Sequence, residues 1–286
     1  MDIRPSPIAG LWYPGDEQGL RELVDDYLSH AKGEPPRGKI WGVVVPHAGL
    51  RYSGRVAAHA FCCLRGMHPD IVVVVSPSHH YHPNPVLTSG HEAYSTPLGL
   101  VPVDREAQAA VDAALQQRLG AGLTPVRRDE EHAVEIELPF LQRVLGSFHL
   151  LPIMLRAQGA HTARVLGEAL ATTLRDHDVL FVASSDLSHF YPRDVARTLD
   201  TNMLNRVAAF DPEGVIRVED KGLGFACGRG AIATVLWACG RLGANHARVV
   251  AYGTSGDATG DFDSVVGYGA AVIWQGNGVS PKEDAP

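Results

Sequence analysis

The chain of 286 residues lacks any long apolar run. No segment approaches the roughly 18 consecutive apolar residues that a membrane-spanning helix needs. Residues 1–7 also lack the basic and apolar pattern of a signal peptide. We therefore expect a soluble, cytoplasmic protein without membrane contact.

Positive charge is scarce. Lys and Arg number 25 against 32 Asp and Glu, which gives a formal net charge of −7 with neutral histidine. Proteins that bind nucleic acid carry Lys/Arg patches that neutralise the phosphates. The charge balance therefore argues against a nucleic-acid partner.

Cysteines are few and do not follow a known framework. Two of the four, Cys62 and Cys63, are adjacent and cannot easily pair with each other, and no spacing resembles a zinc ribbon. Free thiols in a reducing compartment are predicted rather than disulfides. Cys62, Cys63 and Cys239 have the features of core or helix packing residues, whereas Cys227 lies in a glycine-rich loop.

The sequence also lacks an internal linker or a shift in composition, so one domain is predicted over residues 1–275, followed by a tail over residues 276–286. Short β-branched runs alternate with helical patterns, which predicts an α/β fold with a mostly parallel central sheet flanked by helices. Strands are predicted at 40–45, 71–75, 150–155, 179–184, 247–252 and 264–274, with a strand-like piece at 85–89. Helices are predicted at 16–30, after 53, and at 104–119, 132–145, 161–176, 194–209, 212–218 and 228–242.

Local signals refine three of these helices. Asp16 and Ser53 are predicted N-caps, because their side-chain oxygens can accept from the first backbone N–H groups of a helix. Pro139 falls inside the helix predicted over residues 132–145 and is expected to bend or restart it.

Three of the predicted strands stop abruptly in small polar residues and histidine. The first leads to His47, the second to His79 and His80, and the third to Asp186 and His189. In open α/β sheets, ligands bind in the crevice beyond the carboxyl ends of the strands. These side chains are therefore expected to line one crevice. Periodicity does not decide which of the adjacent His79 and His80 enters it.

Acid/base candidates follow from spacing. Asp186 and His189 are three residues apart, so a turn after the strand would place them on one face, where the carboxylate orients the imidazole and favours its protonated form. Asp186 could equally be a helix N-cap. His132 lies in an acidic cluster ahead of a predicted helix, which taken alone is typical of a solvated helix end.

Cys227 precedes a long apolar helix and is flanked by Gly224 and Gly228. A thiol at a helix N-terminus near positive charge is expected to have a lowered pKa and to be a better ligand or nucleophile. Two imidazoles with one thiolate or carboxylate form a ligand set for a transition metal, with iron, copper or zinc as the candidates.

Six segments, taken in order, resemble the Memo family, named after the mediator of ErbB2-driven cell motility; prokaryotic members are called AmmeMemoRadiSam system protein B. The segments are Ala-Gly-Leu-Trp-Tyr-Pro at 9–14, Pro-His-Ala-Gly at 46–49, Ser-Pro-Ser-His-His at 76–80, Glu-His-Ala-Val-Glu-Ile-Glu-Leu-Pro-Phe at 131–140, Ser-Ser-Asp-Leu-Ser-His at 184–189 and Cys-Gly-Arg at 227–229. The family is similar in fold to class III extradiol dioxygenases.

The resemblance implies specific roles. It implies metal ligation by His47, His79 and Cys227, with Fe(II) as the first expectation and Cu or Zn as alternatives. It places Asp186 and His189 in the same crevice, with His189 or His132 as acid/base. The dioxygenases have a carboxylate where Cys227 stands, which argues against ordinary catechol cleavage. The family is associated with radical-SAM and AMMECR1-like partners.

Three functional hypotheses follow. The first is a redox-metal enzyme, with iron or copper on His47, His79 and Cys227 and a small molecule in the crevice. The second is a non-catalytic protein that binds metal, or a peptide or protein partner, on a dioxygenase-like fold. The third is a metal-free hydrolase or transferase with Cys227 as nucleophile and His132 or His189 as base.

Overall fold

A computed structural model describes residues 1–276, and they fold around one large sheet. The strands of this part of the chain are β1 (Ile3–Arg4), β2 (Lys39–Val45), β3 (Ile71–Pro77), β4 (Val86–Ser89), β5 (Ala93–Thr96), β6 (Gly99–Pro102), β7 (Thr124–Val126), β8 (His149–Leu155), β9 (Val179–Ser184), β10 (His189–Tyr191), β11 (His246–Thr254) and β12 (Val265–Gln275). The helices are α1 (Glu17–His30), α2 (Leu50–Phe61), α3 (Arg105–Leu119), α4 (Leu138–Leu145), α5 (Ala160–Thr173), α6 (Arg193–Ala208), α7 (Pro212–Asp220), α8 (Arg229–Arg241) and α9 (Gly256–Thr259), with 3₁₀ turns at Cys62–Leu64 and Glu135–Glu137.

The large sheet has nine strands in the order β10-β12-β2-β9-β3-β8-β4-β7, and β11 also pairs with β12. The four central strands, β2, β9, β3 and β8, are parallel. Strand β12 joins this centre antiparallel, and β4 does so on the other side. The predicted α/β fold with a central parallel sheet is confirmed, and the structure adds antiparallel strands on both sides of that centre.

Helices cover both faces of the sheet. In β3, Val73 and Val75 contribute to one apolar layer, whereas Val72 and Val74 contribute to the other. Successive side chains of a strand point to opposite faces, so a strand covered on both sides must be apolar at every position. This explains the uninterrupted valine runs and leaves the strand ends as the place for polar side chains.

Helix starts differ in part from the prediction. Asp16 caps α1 by accepting from the backbone N–H of Gly19, as predicted. Ser53 is not a cap: α2 begins earlier, at Leu50, and the Ser53 hydroxyl donates to the Ala48 carbonyl at 2.8 Å. Pro139 marks the restart of a helix, one of the two predicted outcomes, because α4 starts at Leu138 after the 3₁₀ turn; the proline lies in the first turn, where its missing N–H costs no hydrogen bond.

A small second sheet, β1-β5-β6, was not predicted and anchors the N-terminus. Its Arg4 is 1 % exposed and forms ion pairs with Asp129 and Glu135. Arg4 also donates to the carbonyl of Glu131 at 2.6 Å. Through these contacts the N-terminal strand fixes the segment 129–137, which supplies several side chains to the site.

Within residues 1–276, no helix is both long and apolar enough to cross a membrane. The predicted tail lies, after Gly276, outside the described residues, so its boundary stays a prediction.

Candidate metal centre and crevice

Three parallel strands deliver the site residues to one edge of the sheet. Strands β2, β9 and β3 are neighbours, so their carboxyl ends lie side by side. His47 follows the first, Asp186 the second and His79 the third. All three side chains line a cavity of about 690 Å³ at this edge. The sequence-based expectation of one crevice agrees with this arrangement.

The three predicted ligands converge. The ligand atoms of His47, His79 and Cys227 lie within 4.8 Å of one another. The Cys227 sulfur is 3.1 Å from His47 Nε2, and the rings of His47 and His79 are 5.2 Å apart and nearly perpendicular. His80 is exposed and does not line the cavity, so of the adjacent pair His79 is the crevice residue.

Cys227 is placed by the loop ahead of α8. Its N–H donates to the carbonyl of Asp186 at 3.2 Å, and the next N–H, of Gly228, donates to Ser185 Oγ at 2.9 Å. A Cβ on Gly228 would lie 2.6 Å from the carbonyl oxygen of Ser184, so only glycine permits this approach. The loop is therefore closely fitted to the end of β9.

The prediction of a lowered pKa for Cys227 is wrong for the metal-free protein. Burial raises the pKa of its thiol well above the ordinary value, and the negative charge of Asp186 acts in the same direction. The helix dipole does not compensate, because α8 begins two residues later at Arg229. A bound cation would favour the thiolate form, because a cation stabilises the charged form of its ligands.

His47 is 2 % exposed and bonded only to neutral groups on its Nδ1 side. Its Nδ1 lies 2.9 Å from Ser184 Oγ, and that oxygen lies 2.7 Å from both the Ala133 carbonyl and Glu137 Oε1. The single serine proton is claimed by these acceptors, so Nδ1–H must be the donor in the bond between His47 and Ser184. The Nε2 lone pair then faces Cys227.

Glu137 completes this neutral arrangement. It is 1 % exposed, and burial raises its pKa well above the ordinary value. Its Oε1 accepts from Ser184 Oγ at 2.7 Å, which directs the serine proton away from His47. Burial also lowers the pKa of His47 well below its usual value, and the neighbouring His132 adds to this effect.

His79 has a charged partner instead. Its Nδ1 is 2.9 Å from Glu131 Oε1, and the same carboxylate accepts from the backbone N–H groups of His79, His132 and Ala133. Burial opposes both charges, but the mutual hydrogen bond outweighs it: the pKa of Glu131 falls to about 2 and the pKa of His79 is raised. A carboxylate that orients a ligating histidine in this way is common at metal sites.

Asp186 has a different partner from the predicted one. Its Oδ1 accepts from the backbone N–H of His47 at 2.8 Å and from that of Ala48 at 3.2 Å, so it holds the His47 loop instead of orienting His189. Burial raises the pKa of Asp186 to about 7. His189 lines the crevice with its ring 5.3 Å from that of Phe225, and burial lowers its pKa.

His132 is part of the crevice, although its acidic neighbourhood alone suggested a solvated helix end. Its side chain is 16 % exposed, stacks on His79 at 4.7 Å and lies 4.2 Å from the Trp12 ring. Burial lowers its pKa to about 4, so the ring is neutral at pH 7. His132 therefore accepts a proton from solvent less readily than an ordinary histidine.

Several site residues were missed from the sequence. Ser184, Glu131 and Glu137 bond to the histidine rings or support them, and only their place within the resemblance segments signalled them. At the crevice mouth, Phe190 is 76 % exposed and has a φ of 64° in a β-bulge of the pairing between β10 and β12. Leu11, 80 % exposed, also lines the mouth.

Comparison with known proteins decides the family. The model of the family described as Memo-like protein matches residues 4–272. A MEMO1 family protein of Nitrosopumilus maritimus is 34 % identical over 273 residues, which covers 94 % of this chain and 98 % of that protein. The chain belongs to the Memo family. Its relatives include a MEMO1 family protein of Methanococcoides burtonii, 37 % identical over 95 % of this chain and all of that protein.

A solved structure supports the fold assignment. An uncharacterized protein from Escherichia coli K12 matches with a TM-score of 0.52 and 14 % identity, over 83 % of this chain and all of that chain. At this identity the likeness concerns the fold alone. This member of the Memo family thus shares its α/β fold with a protein of very different sequence.

Proposed function

We propose that this Memo family protein binds a redox-active transition metal through His47, His79 and Cys227 and acts as an oxidoreductase on a small molecule in the crevice. Fe(II) is the favoured ion, with Cu and Zn as alternatives. The observation that carries the proposal is the convergence of two imidazole nitrogens and one sulfur within 4.8 Å, where both histidines line a cavity of about 690 Å³.

The donor set fits such an ion. Imidazole and thiolate suit iron, copper and zinc better than the hard cations Mg²⁺ and Ca²⁺. Both histidines are bonded through Nδ1 to Ser184 or Glu131, which leaves each Nε2 available as a ligand. When bound, iron or copper would supply one-electron chemistry towards a substrate or O₂.

The remaining crevice residues have roles of their own in this proposal. Asp186 holds the His47 loop, and His189, which lines the cavity, moves protons to and from the ligand. His132, with its pKa of about 4, forms a neutral wall against the ligand. Residence in the reducing cytoplasm belongs to the same proposal, since the Cys227 thiol must stay reduced to bind metal.

Two matched pairs of variants test the metal site. Metal content is measured by mass spectrometry on protein purified without added metal. Cys227→Ala and His79→Ala are expected to lose the metal, whereas Cys239→Ala and His80→Ala are expected to keep it. Equal metal content in all four variants would refute the ligand set.

Catalysis is tested separately. Oxygen uptake by the iron-loaded protein is followed with catechols and small phenols, with His47→Ala as the control. Uptake above that control supports the enzyme, and its absence in metal-replete protein rejects this class of substrate.

The exposed apolar mouth favours a second candidate, a non-catalytic protein that binds a peptide or protein partner over the crevice. Leu11, Phe190 and the partly exposed Trp12 would contact such a partner, and radical-SAM and AMMECR1-like proteins are the partners that the family resemblance implies. Tight metal binding without turnover, together with a peptide that competes for the crevice, would favour this candidate. The metal-free hydrolase ranks last, because the raised pKa of Cys227 makes its thiol a poor nucleophile.

A further inference from the structure

Two adjacent thiols lie outside the crevice, at the end of α2. Cys62 and Cys63 are free, form the start of the 3₁₀ turn that follows the helix, and are 6 % and 2 % exposed. Neither residue lines the cavity beside His47 and His79.

The two sulfurs point to the same place. Each lies 3.4 Å from the carbonyl oxygen of His59, and a Cβ built on Gly33 would lie 2.7 Å from the Cys62 sulfur and 2.8 Å from the Cys63 sulfur. The Cys62 thiol also lies 3.4 Å from the Gly33 carbonyl. The pair is therefore covered by one glycine, which is itself partly exposed.

This geometry favours a dithiol over a disulfide. Consecutive Cα atoms are about 3.8 Å apart across a trans peptide, which is below the usual Cα separation of bridged cysteines. The backbone of Cys62 is helical, with φ −63° and ψ −23°. The two sulfurs are thus kept as separate ligand atoms on one side of the chain.

We propose that Cys62 and Cys63 form a second site, which binds a soft, thiophilic ion through both sulfurs. The chemistry is shared by Cu(I) and by trivalent arsenicals, both of which prefer thiolate ligands. The hydrogen bond from the Cys63 thiol lowers the pKa of Cys62 to about 6 and raises the pKa of Cys63, so Cys62 loses the first proton and the bound ion displaces the second. Gly33 lies against both sulfurs, so an ion reaches them when this residue moves away.

The test reaction has a simple balance. Phenylarsine oxide forms two arsenic–sulfur bonds with the pair, and its oxygen leaves as water with the two thiol protons, without any change of oxidation state. An adduct on two thiols resists monothiols and is removed by a dithiol, whereas an adduct on one thiol is removed by both.

The experiment uses the full-length Cys227→Ser protein, so that the crevice thiol is absent and the result does not depend on the proposed metal centre. Native mass spectrometry is expected to show one phenylarsenic group per chain that resists 2-mercaptoethanol and is removed by dimercaptopropanol. Adding Cys62→Ser or Cys63→Ser should abolish this adduct, whereas adding Cys239→Ser should leave it unchanged. Circular dichroism verifies that each variant is folded.

A second arm uses Cu(I) in competition with bicinchoninate. Cys63→Ser is expected to weaken Cu(I) binding at least tenfold in the Cys227→Ser protein. A dithiol-specific adduct or this affinity loss supports the site, and the arm that responds identifies the ion. The proposal is overturned if neither probe binds the folded protein, or if every probe that binds does so equally well after Cys63→Ser.

Discussion

The two histidines of the proposed ligand set, His47 and His79, are each held through Nδ1, but by chemically different partners. His47 is buried and bonds to the hydroxyl of Ser184, which is supported by Glu137. His79 has a side chain that is 34 % exposed and bonds to the carboxylate of Glu131. In both cases Nδ1 is engaged and Nε2 is left for a ligand, but one partner is neutral and the other is ionised.

The two partners give the two histidines different charge states. On the neutral side the pKa of His47 is lowered by burial, so the ring stays uncharged over the whole physiological range. On the ionised side the pKa of His79 is raised by Glu131, so bound metal must compete with a proton there. Changes in pH should therefore affect the protonation of His79 and leave that of His47 unchanged.

The largest predicted effect is that of Glu131→Gln on stability. The pKa of Glu131 is lowered from 4.5 to about 2, so its ionised form stabilises the fold above pH 4.5, and this contribution is lost as the pH falls towards 2. Glu131→Gln should lower the free energy of unfolding by about 3 kcal/mol at pH 6 and by roughly half as much at pH 3. Urea denaturation at both pH values measures this difference.

The contribution of His79 to stability has the opposite dependence on pH. Its raised pKa means that the imidazolium contributes below the ordinary histidine value and that this share is lost as the pH rises through the pKa of the folded state. Glu130→Gln is the matched control, because Glu130 is exposed. Two outcomes would contradict this prediction: equal losses of stability in the two variants, or a Glu131→Gln loss that is the same at pH 6 and pH 3. Either would show that the ion pair between Glu131 and His79 does not stabilise the fold.

A smaller effect is predicted for Ser184→Ala, which removes the neutral partner of His47. Metal affinity should fall about 10- to 100-fold, as for other groups that orient ligating histidines. In the metal-free protein, the ¹⁵N chemical shifts of the His47 ring should change from a single Nδ1–H tautomer to a mixture.

The control for Ser184→Ala is Thr88→Val, which removes another buried hydroxyl that donates to a carbonyl, at 2.7 Å, far along the sheet from the crevice. It should reduce stability without changing the His47 spectrum or the metal affinity. An unchanged His47 tautomer in Ser184→Ala would show that Cys227 or burial alone selects it.

Much of the fold was predictable because its signals are local. The valine runs of β2 and β3 indicate strands buried on both faces, and Asp16 indicates the start of α1. The antiparallel strands on both sides of the parallel centre were not predictable, since strand order depends on contacts between distant segments. The small sheet that contains Arg4 was missed because its strands have only two to four residues.

The candidate site was likewise predictable only in part. The positions of His47, His79 and Cys227 follow from strand ends, a glycine-rich loop and the family resemblance. Their electrostatics do not, because the bond between Ser184 and Glu137 spans 47 residues and that between His79 and Glu131 spans 52. The expectations for Cys227 and Asp186 failed for this reason: burial and distant partners set the pKa of a group more strongly than its sequence neighbours do.

The smallest predicted effect concerns β10, the strand that contains His189 and Phe190. Here the feature to be tested is the backbone conformation of Phe190, not a side-chain hydrogen bond. His189 lines the crevice beside a bulge in which Phe190 adopts the left-handed region with φ 64°. Phe190→Gly should therefore be more stable than Phe190→Ala by about 0.5–1 kcal/mol, since both lack the ring and only glycine is free of left-handed strain. At the exposed Phe262, whose φ is not positive, the order should be reversed. Urea denaturation of the four variants measures both differences, and a Phe190→Ala variant at least as stable as Phe190→Gly would mean that Phe190 carries no left-handed strain.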